Sequence, residues 1–162
     1  MGAATANWNR WVFASLAKHL HTAADAAQLP LAIETLDDRT KAFISAQHKC
    51  EVTITGPHTR EMSPKLHRIW VEVFVVITSN LGGSANAGVH RDKCGAIHSA
   101  LDRSIEVRQY DKDVLSPALV GCLSPRIGAG DAITDNQLRA SDSDKQATSV
   151  IEAKFEGFFS QP

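Results

Sequence analysis

Seven histidines, three cysteines and a carboxylate set among apolar residues are the groups in this 162-residue chain whose chemistry needs testing first. His19 and His21 are two residues apart in a helical pattern, about 200° around the axis, so they cannot share a metal ion. His90 and His98 are eight apart and stack only loosely across two turns. Cys94 precedes His98 by four residues and can share a helix face with it, but the spacing offers no third ligand and no general base. Cys50, Cys94 and Cys122 are odd in number and lack a Cys-x-x-Cys pair, which predicts three reduced, mostly buried thiols. The expectation is therefore no metal, no cofactor and no catalytic residue, with the histidines on the polar surface or half-buried and hydrogen-bonded.

Glu72 interrupts the apolar run Ile69 to Ile77, where a buried carboxylate would need pairing or hydrogen bonds. Acid or base catalysis would need a second group, and Glu51, Glu61, Asp92 and Asp102 are equivalent candidates that spacing does not separate. Structural pairing of Glu72 with a basic residue is the expectation. Gly82-Gly83-Ser84 is not followed by Lys-Ser/Thr and so is no phosphate loop, and Gly128-Ala129-Gly130-Asp131 reads as a turn.

Seventeen basic and eighteen acidic residues leave a net charge of −1, without the long-range attraction on which nucleic-acid coats and anionic-membrane binders rely. The distribution is uneven: residues 57 to 104 carry six positive and four negative side chains, residues 105 to 162 six and nine. No apolar run approaches the roughly 20 residues that span a bilayer. The first eight residues show neither a basic segment nor an apolar one, so no secretory signal is expected.

The elements that would position these groups follow from periodicity. Trp8, Trp11, Val12, Ser15, Leu16 and His19 form one stripe of a helix over about 8 to 26, with Asn7 as N-cap and Pro30 beyond its end. Trp8 and Trp11 are core on this reading, with an interface role as the alternative. Leu31 to Thr35 and Cys50 to Thr55 read as strands, and Asp37 to Lys49 as polar chain of undetermined structure. Gly56 to Pro64 reads as a turn-rich excursion. Leu66 to Thr78 is the clearest strand: Ile69, Val71, Val73, Val75 and Ile77 point one way, Trp70, Phe74 and Val76 the other beside Glu72. Two largely apolar faces predict a central strand with helices on one side and partial cover on the other, for which a second subunit is one candidate.

A second helix follows, with His90, Cys94, Ile97 and Leu101 at helical spacing to about Arg103 and Ser84 or Asn86 as its cap. Ile105 to Arg108, Leu119 to Arg126, an irregular Ala132 to Leu138 and an alternating Thr148 to Phe159 complete the strands. The segments around His58 to Lys65 and Ala140 to Ala147 are expected to be exposed loops. Neighbouring strands joined by turns define an α+β class: a mainly antiparallel β-sheet with two α-helices packed on one face, one domain over residues 1 to 162.

The opening Asn7-Trp8-Asn9-Arg10-Trp11-Val12-Phe13 helix, the Trp70-Val71-Glu72-Val73-Phe74-Val75-Val76 strand, Leu119 to Leu123 and the terminal Ile151 to Gly157 strand together resemble the tail terminator, or head-to-tail joining, proteins of long-tailed bacteriophages. The resemblance spans most of the chain and contains no catalytic motif. It implies a non-enzymatic virion protein at the tail-neck junction, assembled in the host cytoplasm. Such a subunit self-associates into a ring, commonly a hexamer, that caps the tail tube, stops tube growth and presents a surface to the neck or head-completion protein. Other readings are a neck, tail-tube or baseplate subunit, or a small cytosolic enzyme whose site collects Glu72, His98 or Cys94. No membrane and no sequence-specific nucleic-acid partner is expected.

Overall fold

The computed structural model describes residues 2–33, 41–80, 84–110, 115–125, 133–138 and 146–160. In chain order the elements are α1 (Gly2–Ala26), β1 (Leu31–Ile33), α2 (Lys41–Ser45), β2 (His48–Ser63), β3 (Leu66–Asn80), α3 (Ser84–Leu101), β4 (Ile105–Arg108), β5 (Leu119–Pro125), β6 (Ile133–Leu138) and β7 (Gln146–Ser160). The strands run β1-β2-β3-β7-β5-β4, and β6 also pairs with β7. Every pairing is antiparallel except β1 with β2. The α+β class is as expected, with α2 as a short third helix.

Strand β3 is the spine, paired along its whole length with β7. Its odd-numbered residues from Ile69 to Ile77 are buried, as are Cys50, Val52 and Ile54 of β2 and Ile151, Ala153, Phe155 and Phe159 of β7. These side chains share one face and one core with Trp8, Trp11, Val12, Leu16 and Leu20 of α1 and Cys94, Ile97 and Leu101 of α3. The core stripes of both helices are thus the ones periodicity selects, and Trp8 and Trp11 are core. Fully burying such side chains contributes about 1.5–3 kcal/mol each.

Several polar contacts fix the helices. His19 Nε2 donates to the Ala100 carbonyl at 2.8 Å, which joins α1 to the end of α3 and fixes the His19 tautomer. The Arg108 amide donates to Ser15 Oγ at 3.1 Å, occupying a backbone donor of the edge strand β4. Helix α1 ends where Gln28 turns left-handed at φ 51°, with the Leu29 amide donating to the Ala24 carbonyl at 2.8 Å. Lys93 Nζ donates to the Ala27 and Gln28 carbonyls at 2.7 and 3.1 Å, placing a cation at the negative end of the helix dipole.

Phe159 lies over glycines. A Cβ on Gly121 would sit 1.9 Å from its ring, and one on Gly157 would sit 2.4 Å from the Cys122 carbonyl. The missing side chains let the ring reach Trp8, at 4.8 Å between centroids.

Four expectations are corrected. Gly56 to Pro64 is no turn excursion and His58 to Lys65 no loop: β2 continues to Ser63, with register shifts between Thr55 and His58 and between Glu61 and Ser63. The backbone hydrogen bonds of β3 outweigh the local preference of Gly56-Pro57 by absorbing it in a bulge. Helix α1 begins at Gly2, so Asn7 is inside it rather than capping it. Likewise α3 begins at Ser84, so Asn86 is within the helix and the side chain of Ser84 lies outside the described residues. Cys122 is exposed, because it lies on the outward face of β5, while Cys50 and Cys94 are buried. The first strand stops at Ile33, and the turn at Gly128 to Asp131 and most of Ala140 to Ala147 lie outside the described residues.

Candidate functional site

The groups singled out for chemistry are separated by the sheet. Glu72 alternates with the buried Val71 and Val73 and therefore points away from the core into solvent, opposite Lys154 in the β3–β7 register. It belongs to the face the helices do not cover, with Lys154 as the basic residue opposite it. Cys94 is buried on the other side, among core residues. Glu72 and Cys94 are thus on opposite sides of β3, and the arrangement an enzyme would need from them is not formed. Glu61, Asp92 and Asp102 are exposed, and no group of three potential metal ligands occurs among the described residues.

One polar cluster was not visible in the spacing. Ser79 Oγ lies 2.6 Å from both His48 Nδ1 and His90 Nδ1, and His90 Nε2 lies 2.9 Å from Ser149 Oγ. Cys94 Sγ completes the cluster at 3.5 Å from His90 Nε2. A hydroxyl has one proton, so at most one of the two imidazoles accepts from Ser79 and at least one donates to it. Ser79, His90 and Ser149 are buried, and the hydroxyls of both serines are satisfied within the network. The network ties β2, β3 and β7 to α3. Its sequence signal is parity: Ser79 and Ser149 continue the inward phase of Ile77 and Ile151. Burial, then Lys93, lowers the His48 pKa from its ordinary value, and burial pushes the Cys50 thiol up, away from the reactive thiolate.

A cleft of about 620 Å³ between α1, the end of α3 and β4 includes Lys18, His19, Arg103 and Arg108. Three of these four already have partners within the chain: Lys18 lies 5.3 Å from the Tyr110 ring centroid, His19 donates to Ala100, and Arg108 is held by Glu106 at 2.8 Å and the Pro117 carbonyl at 3.2 Å.

The outer sheet face exposes apolar side chains. Across β3 and β7 it presents Trp70, Phe74, Val76, Val150 and Phe158, with Phe74 40% and Phe158 56% exposed. Charged residues lie between them: Arg68 pairs with Glu156 at 2.5 Å and stacks 5.2 Å from the Trp70 ring centroid, which His58 also stacks against at 5.4 Å. Phe74, Thr53, Thr55, Glu72, Glu152 and Lys154 line a cleft of about 290 Å³ in the middle of this face. Beside it, β1 covers only Cys50 to Val52 of β2, so Thr53–Ser63 has no strand on its outer side among the described residues. Its tip, Arg60 through Leu66, is exposed throughout, Met62 at 53%. An open edge next to an apolar face is the kind of surface another protein normally covers.

No protein-family profile matches the chain, and no curated protein matches it. One solved structure superposes with a TM-score of 0.51 at 15% identity, covering 94% of this chain and 95% of its own length. At that identity the likeness is one of fold: a sheet covered by helices on one side over nearly the full length of both chains.

Proposed function

We propose that this chain is a ring-forming virion subunit of the tail-terminator type. It caps the tail tube, ends tube growth and presents its other side to the neck or head-completion protein. The observation that carries this reading is the outer face of β2, β3 and β7, partly apolar and bordered by a stretch of β2 that has no strand on its outer side among the described residues. In a closed ring each copy meets its neighbour through two different patches, so such a face is covered without open-ended growth. The Asn7-Trp8-Asn9-Arg10-Trp11 helix supports the reading through its resemblance to that family, and its tryptophans belong to the core that holds α1 on the sheet. The separation of Glu72 from Cys94 by the sheet favours assembly over catalysis. No helix among the described residues is long and apolar enough to cross a membrane.

The test is assembly of phage tails with and without this protein, followed by electron microscopy and a head-joining assay. Tails lacking it should have abnormal lengths or ragged ends and fail to join heads. Normal ends, normal length and full joining in its absence would overturn the proposal.

A further inference from the structure

We infer that the tip of the β2–β3 hairpin of one copy docks into the Phe74 cleft on the sheet of the next copy, Arg60 and Lys65 facing Glu72 and Glu152. The inference rests on the ring reading and names the contact that closes it.

The hairpin tip is surface suited to being covered. Arg60 to Leu66 is exposed and includes two large apolar side chains, Met62 and Leu66, at 53% and 36%. Arg60 and Arg68 are direct cross-strand partners, a like-charge pair that destabilises an isolated hairpin. Arg68 is compensated by Glu156, whereas Arg60 stands exposed on the uncovered edge strand. A carboxylate from outside would relieve the pair.

The hairpin tip from Arg60 to Leu66 carries two cations and one carboxylate, and the cleft carries Glu72 and Glu152 against Lys154. Both also contain an exposed apolar group, Met62 on the tip and Phe74 in the cleft, so burial and charge favour the same pairing. At about 290 Å³ the cleft has room for a single side chain of this kind rather than a whole strand.

Lys65 and Glu72 are seven residues apart on the hairpin and β3, about 23 Å at roughly 3.3 Å per residue. β3 is held in unbroken register with β7 from Leu66 to Asn80, so the hairpin cannot fold back onto its own cleft. A hairpin tip in this cleft therefore belongs to another molecule, and a second copy brings the matching one. Two distinct patches on one chain, fixed on the same rigid sheet, define a head-to-tail contact of the kind that closes rings.

The test is charge reversal in the full chain, scored as rings on assembled tails by electron microscopy and as self-association by sedimentation. Arg60→Glu with Lys65→Glu, and separately Glu72→Lys with Glu152→Lys, should each weaken self-association at least about tenfold, because like charges then face each other. All four substitutions in one chain should restore rings, and that restoration also shows that the reversed surfaces fold. Rings unaffected by either reversal, or not restored by the combination, would overturn the inference while the ring reading stands. A hairpin-reversed chain that still forms rings but no longer seats on tubes would overturn it too, by assigning the tip to the tube protein. Wild-type tails without any ring would instead overturn the underlying proposal.

Discussion

Phe155 is a measure of how far the core depends on single side chains. It is fully buried on β7, in register with Val71, beneath the helices. Phe155→Ala should cost about 3–5 kcal/mol from lost transfer energy and the remaining cavity, read as a fall in the chemical-denaturation midpoint with unchanged slope. His48 sets the response to acid. Its folded pKa lies below the ordinary 6.5, through burial and then Lys93, so the folded state binds this proton more weakly than the unfolded chain does. The stability it confers is complete above about 6.5 and is lost as pH falls through the lower folded value. The urea midpoint should therefore drop between pH 7.5 and 5, and His48→Gln should flatten that part of the profile; an unchanged slope in the variant would show that His48 plays no part.

The elements divide by how their order is encoded. α1 and β3 were legible because periodicity alone sets their buried faces: Trp8, Trp11, Val12 and Leu16 recur at helical spacing, and Ile69 to Ile77 alternate. The far half of β2 was not legible, because Gly56-Pro57 has turn chemistry and only pairing with β3 makes it strand. The candidate site was legible in part. Trp70, Phe74 and Val76 announce a second apolar face on β3, but the hairpin tip was misread with the turn, and the His48–Ser79–His90 network joins residues from β2, β3 and α3 that no local pattern connects. Hydrogen exchange separates the two edges of β2. Amides of Thr53–Ser63 that donate into β3 should be protected in the free chain, whereas those on the open edge should exchange fast and become protected only on assembled tails. Equal protection of both sets in the free chain would remove the argument that the edge awaits a neighbour.

At the scale of the whole molecule, the fold is one-sided. Helices α1 and α3 bury one face of the sheet and leave the other with aromatic side chains and paired charges, beside a stretch of β2 that has no outer strand among the described residues. A protein with net charge −1 has little long-range steering, so short-range complementarity between patches carries the account of its association. In the proposed ring, contacts with the tube would add to those between copies, so that a ring weak in free solution would close on the tail by mass action. The most direct measurement is therefore made on tails: electron microscopy of assembled tails carrying this subunit with a density label at its N-terminus. Label should appear in a single closed ring at the head-proximal end of each tail, and label repeated along the tube or absent from that end would contradict a tail-terminator role.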